Sequence, residues 1–276
     1  MWPFTRHPVV PVVRFTGPIG MVTPLRPGIS LASYAGALEK AFNLSKAPSV
    51  AILINSPGGS PVQSNLIFKR IRDLADEKKK RVYVFCEDVA ASGGYFLAIA
   101  GDEIYADPSS IIGSIGVISA SFGFVEAIDK LGIERRVYTA GLNKSTLDPF
   151  LPENPDDVER LKSLQREVHD VFIGLVKNRR PGKLKAPDTE LFSGAFWGGA
   201  KATELGLIDG LADVRSKMRE IHGDKVKLKV VEPEKPGLLG RVRRLSTHAT
   251  SSDGLAFADD LVSAVETRAL WSRFGL

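Results

Sequence analysis

Cysteine is almost missing: Cys86 is the only one in 276 residues, so no disulfide can form within the chain. A lone thiol fits a reducing compartment, and the expected location is the cytoplasm. Long hydrophobic runs are missing as well. No apolar stretch approaches the ~20 residues that a membrane-spanning helix needs. Pro3, Pro8 and Pro11 interrupt the start of the chain, so no signal peptide is expected there. The four histidines, His7, His169, His222 and His248, lie far apart, and there is no HExxH or CxxC pattern. No zinc ligand set is therefore visible. Charge of one sign is not in large excess either: 37 basic against 32 acidic residues gives +5. Without a basic groove interleaved with aromatics, that excess names no nucleic-acid partner.

What is present is an ordinary globular composition, 43% hydrophobic and 25% charged. The length allows one large α/β domain or two small ones. Short β-branched and aromatic runs read as strands over residues 9–15 (with Pro11 at an edge), 50–54, 81–86, 103–106, 134–139 and 226–231. A glycine-punctuated segment, 111–118, runs into a further strand. Amphipathic or capped segments read as helices over 30–44, 61–78, 95–100, 122–131, 156–177, 200–205 and 214–222. Strands alternating with helices imply a layered α/β fold with a mainly parallel sheet. The run Lys78-Lys79-Lys80-Arg81 suits a solvated helix end, with phosphate binding as its second reading. Residues 179–183 read as an exposed basic linker. From Glu232 the character changes, which divides the chain into a domain over 1–231 and a mobile tail over 232–276. Within the tail, 259–270 reads as a short amphipathic helix that packs on a partner, stays disordered or touches a membrane surface.

Two strand-to-helix turns carry the chemistry. The first, Asn55-Ser56-Pro57-Gly58-Gly59-Ser60, has glycines like a phosphate loop but lacks GxxxxGK[ST] and GxGxxG. Its other use is close backbone approach to a carbonyl oxygen. The second, Val89-Ala90-Ala91-Ser92-Gly93-Gly94-Tyr95, puts one hydroxyl between a strand and a helix. Ser92 is there either a nucleophile beside free N–H groups or the N-cap of a tight packing turn. In a parallel sheet both turns fall at the carboxyl ends of neighbouring strands, where such folds place their sites. A serine needs a base. His169 is the best-placed histidine, though a histidine inside a long helix also suits a packed surface position. Lys144 is the other candidate, since a desolvated lysine can act as a base; taken by itself in this loop, it reads first as an ordinary surface lysine.

Five stretches taken together resemble the signal peptide peptidase A (protease IV) family of Ser–Lys peptidases. They are Asn55–Gly59, Ala91–Tyr95, Ile112–Val117, Gly141–Phe150 and Ala202–Asp209, in that order along residues 9–231. The resemblance implies a Clp/crotonase-like fold. It implies Ser92 as nucleophile, Lys144 as general base, Ser114 as the group that orients the lysine, and the N–H groups of Gly59 and Gly93 as the oxyanion hole. It implies no metal or cofactor, a peptide substrate such as a remnant signal peptide or unfolded segment, and self-association into a ring in which serine and lysine come from neighbouring copies. The chain departs from many members in having no N-terminal anchor, so membrane contact is expected to be peripheral at most. A crotonase-like acyl-CoA enzyme and an inactive peptide-binding scaffold are the alternatives. The first needs a carboxylate base in place of the Ser–Lys pair, and the second has no use for Ser92 and Lys144.

Overall fold

The computed structural model describes residues 7–20, 28–141, 143–233, 264–265 and 267–276. Its centre is a run of parallel strands whose sequences are apolar on both faces, as a sheet covered on both sides requires. β1 (Val9–Thr16), β2 (Ser49–Ser56) and β3 (Arg81–Ala91) are the longest, and β2 has seven of its eight residues buried. β4 (Glu103–Ala106) and β5 (Ile111–Gly113) both pair with β3, β4 along its first half and β5 along its last three residues. β6 (Phe196–Gly198) closes one edge antiparallel to β5, β7 (Gly210–Leu211) pairs with β4, and β8 (Lys227–Val230) forms the other edge beside β1. The sheet has eight strands and is mainly parallel, as the alternation of elements led us to expect.

Pro11 does not mark an edge strand, because β1 lies between β2 and β8. It is tolerated because the pairing with β2 begins only at Val12, leaving Pro11 opposite Lys229 alone.

Helices α1 (Leu31–Asn43), α2 (Pro61–Lys78) and α3 (Gly93–Ala98) cover one face. Ser30 caps α1 in a reciprocal pair with Ser33, and Pro61 opens α2 behind its cap Ser60. The large core holds Val13, Phe15, Ile52, Ile54, Val82 and Val84 of the sheet against Leu38, Phe42, Ile67, Ile71, Tyr95 and Leu97. Fully burying one such side chain contributes about 1.5–3 kcal/mol. The opposite face packs Tyr83, Phe85 and Tyr105 against Met218 of α8 (Val214–His222).

α4 (Val125–Lys130) and α5 (Pro155–Arg179) follow β5, then α6 (Asp188–Leu191) and α7 (Gly199–Glu204). The strand expected over 134–139 is absent: these residues have no partner strand among the described residues, and Tyr138 is 91% exposed. The linker 179–183 is not exposed throughout. The Arg180 side chain is buried, bonded to Asp209 at 2.6 Å and twice to the Gly206 carbonyl. Burial opposes the charge on Asp209, but its bonds to Arg180 and Lys183 hold its carboxyl below the usual range. A pattern of charges cannot reveal which arginine has a buried carboxylate waiting for it. No helix among the described residues is long and apolar enough to cross a membrane. Of the helix expected over 259–270, residues 259–263 and 266 lie outside the described residues; 264–265 and 267–272 are helical. Beyond it, Phe274 packs with Trp271 against Val89, Ala91 and Ile111, and its ring meets that of Phe196 edge-on.

Candidate active site

β3 is longer than its apolar run suggested. Val89–Ala91, which read as part of the turn, are strand because β5 pairs with them. The turn is thereby confined to Ser92, which sits at φ 52°, ψ −120°, a conformation a non-glycine residue adopts only at a cost of order 1–3 kcal/mol. Its N–H donates to the Gly113 carbonyl at 2.8 Å, and its own carbonyl accepts from Phe96 at 2.9 Å to start α3. Its side chain makes no capping hydrogen bond. Ser92 is the N-cap of α3 by position, as one of its two readings had it, but its hydroxyl is not spent on capping the helix.

The glycine loop lies directly against this residue. A Cβ placed on Gly58 would stand 2.8 Å from the Ser92 Cβ and 2.9 Å from the Gly93 nitrogen. A Cβ on Gly93 would stand 3.2 Å from the Gly59 nitrogen and 2.7 Å from Ser64 Oγ. Only glycine permits this approach. Gly59 is bracketed by two ladder bonds, Ile19 N–H to the Gly58 carbonyl and Ser60 N–H to the Ile19 carbonyl, both 2.8 Å. These bonds turn the Gly59 N–H away from Ile19. Gly93 opens α3, where an N–H has no intrahelical partner. Among the described residues neither N–H has a hydrogen-bond partner. Two unpartnered N–H donors this near an unspent hydroxyl form an arrangement that can hold an oxyanion.

Ser114 follows Gly113, the residue that accepts the Ser92 N–H, so the two serines stand side by side at the ends of β3 and β5. Ser114 is buried, also has a positive φ of 53°, and donates its N–H to the Ala195 carbonyl at 2.7 Å. The structure therefore brings Ser92, Gly59, Gly93 and Ser114 together. Lys144 forms no side-chain hydrogen bond or ion pair with any of them. Lys144 is exposed in a turn, its N–H bonded to the Gly141 carbonyl, and its ammonium forms no hydrogen bond or ion pair among the described residues.

His169 lies on α5, where its Nε2 is 3.0 Å from the Ile115 carbonyl. A carbonyl only accepts, so Nε2 is the protonated nitrogen and is not free to take a proton there. The ring lines a cavity of about 230 Å³ with Val117, Lys162, Gln165 and Arg166. Burial pushes the Cys86 thiol up to about 12, which keeps it out of nucleophilic work. Among the described residues no three His, Cys, Asp or Glu side chains cluster so as to hold a metal ion.

Sequence reasoning missed two features. One is the Asn55 carboxamide, which bonds Asp88 at 2.6 Å and the Val89 N–H at 3.2 Å; an amide at the mouth of a glycine loop was its only signal. The other is the aromatic pair Trp271 and Phe274 beside Ala91, for which the tail's composition offered no signal.

The family model for peptidase family S49 matches residues 75–228, a span that contains Ser92, Ser114 and Lys144 but begins after Gly59. A protein named as a protease in Synechocystis sp. is 31% identical over 229 residues, 78% of this chain and 79% of its own. A chloroplastic serine protease SPPA of Arabidopsis thaliana is 31% identical over 60% of this chain and 24% of its own. A Brucella abortus protein named Na(+)/H(+) antiporter NhaA is 59% identical over 97% of this chain. The chain spans only 37% of that relative's length.

Proposed function

Because this chain belongs to peptidase family S49, we propose that it is a serine endopeptidase in which Ser92 attacks a peptide carbonyl. The observation that carries the reading is Ser92 itself: a hydroxyl held at positive φ, unused as a cap, with the Gly59 and Gly93 N–H groups beside it. As the Ser92 Oγ–carbon bond forms, the Oγ proton passes to a neutral amine, that of Lys144. The carbonyl electron pair moves to oxygen, where the two N–H groups receive it. Collapse breaks the carbon–nitrogen bond, and the lysine returns its proton to the departing amine. Water, deprotonated by the same lysine, then cleaves the acyl-enzyme ester and restores the serine. Ser114 orients the lysine.

Lys144 acts on the serine of a neighbouring copy, and the active form is a closed assembly. Two observations support this: the ammonium lies exposed and unbonded among the described residues of its own chain, and its surroundings are rich in exposed apolar side chains. A heterologous interface repeated around a ring would pair each base with the next nucleophile. The substrates are peptides or unfolded segments, remnant signal peptides among them.

The test is labelling with a fluorophosphonate followed by hydrolysis of a small-residue ester. Wild type should label at Ser92 and turn over. Ser92→Ala should do neither while losing about 1 kcal/mol of stability or less. Turnover by folded Ser92→Ala would end the proposal.

A further inference from the structure

The chain does something unusual just before Ser92. β3 runs in register with β2 as far as the pair Ile54 and Cys86, and the next pair is Ser56 and Ala90. One residue of β2, Asn55, therefore stands opposite three of β3, Glu87, Asp88 and Val89. Over the same interval β3 leaves β4, whose last pair is Cys86 with Ala106, and joins β5, whose first pair is Val89 with Ile111. A bulge leaves ladder groups unpaired and re-aims the strand that carries it.

Asn55 fills that gap. It is buried. Its Nδ2 donates to Asp88 Oδ2 at 2.6 Å, and its Oδ1 accepts the Val89 N–H at 3.2 Å. These partners fix which end of the amide is oxygen, because the carboxylate only accepts and the N–H only donates. The Asn55 carbonyl also receives the Gly17 N–H at 2.9 Å. The residue thus sits at a junction. Its main chain leads within four residues into Gly58 and Gly59. Its side chain holds Val89, and from there the β3–β5 register places Ala91 opposite Gly113 and lets Ser92 bond the Gly113 carbonyl.

We propose that Asn55 is a positioning residue for the peptidase reaction: its carboxamide bridges the β3 bulge and so sets Ser92 in register with the Gly59 and Gly93 donors. This rests on the Ser92 reading above. It assigns Asn55 no contact with substrate. A group that only stabilised the sheet would lower the melting temperature and leave turnover below that temperature unchanged. A positioning group changes kcat, because a displacement of about 1 Å at reacting atoms can cost on the order of 100-fold in rate.

The experiment compares full-length wild type, Ser92→Ala, Asn55→Ala, Asn55→Asp and the swap Asn55→Asp/Asp88→Asn at neutral pH, well below each melting temperature. Asn55→Ala should lose kcat on the order of 100-fold with KM little changed. Asn55→Asp should lose at least as much, because it sets a carboxylate against that of Asp88. The swap should recover most of the loss, since a carboxylate at position 55 accepts both the Val89 N–H and the new amide at position 88. Rescue by the swap, with Asn55→Asp impaired, supports the proposal even if Asn55→Ala fails to fold. Unchanged kcat in folded Asn55→Ala or Asn55→Asp overturns it, as does a folded swap no better than Asn55→Asp. Turnover equal in wild type and Ser92→Ala would refute the serine assignment first and this one with it.

Discussion

The two halves of the proposed site differ in how they are held. Around Ser92, from β3 to Ile115, most residues are buried, and Ser92 itself lies among backbone groups a few ångströms away. Around Lys144, from Val117 to Val171, no described residue is buried. That second region is internally ordered: Arg135 pairs with Asp148 at 2.8 Å, the Phe124 N–H bonds the Pro149 carbonyl, and the Phe124 and Phe150 rings stack. Yet it exposes Ile118 at 66%, Phe122 at 79% and Leu131 at 74%. Side chains of this kind left in water over a contiguous region mark an interaction surface. The contrast teaches that one chain holds Ser92 and its neighbouring N–H groups in a buried frame while Lys144 stands on an exposed one, and it is this difference that the proposal of a base delivered by assembly rests on.

Breaking the exposed half alone should have the largest effect. Ile118→Asp/Tyr138→Asp changes residues that touch no buried core, so the melting temperature of the protomer should hold. Sedimentation should show smaller species, and turnover should fall steeply on dilution as association is lost. If that variant keeps its assembly and its rate at every concentration, this surface is not what delivers the base.

Disturbing the buried half is the second test. Gly93→Ala would put a Cβ 2.7 Å from Ser64 Oγ and 3.2 Å from the Gly59 nitrogen, displacing a donor of the proposed oxyanion hole. Removing one such donor costs about 100-fold or more in kcat, and the assembly should be unchanged by light scattering. Wild-type kcat would exclude these N–H groups from the reaction.

The smallest effect is expected at the seam between the halves. His169 ties α5 to Ile115 by one hydrogen bond, so His169→Ala should leave kcat/KM within about threefold, below ~1 kcal/mol. A loss of several orders of magnitude, with the pH–rate rise moved to that of an imidazole near ~6.5, would make His169 the base.

How much of this was legible in the sequence follows the same division. The buried half announced itself: apolar runs such as Val50–Ile54, the cap Ser30, the helix start at Pro61 and the two glycine turns are local signals with local causes. The exposed half did not. Residues 134–139 have the composition of a strand, but a strand needs a partner to bond, and no described strand of the chain offers one. The bulge at Glu87–Val89 and the buried Arg180–Asp209 pair were equally hidden, because each depends on residues distant in sequence. Ser92 and the glycines could be paired from the order of strands; Lys144 could be assigned only from the resemblance.

The most direct measurement mixes two inactive variants, Ser92→Ala and Lys144→Ala, denatured and refolded together at equal concentration. A site works when its serine comes from the lysine variant and its lysine from the serine variant. In a randomly mixed closed assembly about one site in four meets both conditions, so about a quarter of wild-type turnover should return. If the mixture stays as inactive as its parents, although mixed assemblies have formed, serine and lysine do not meet across protomers and the account fails.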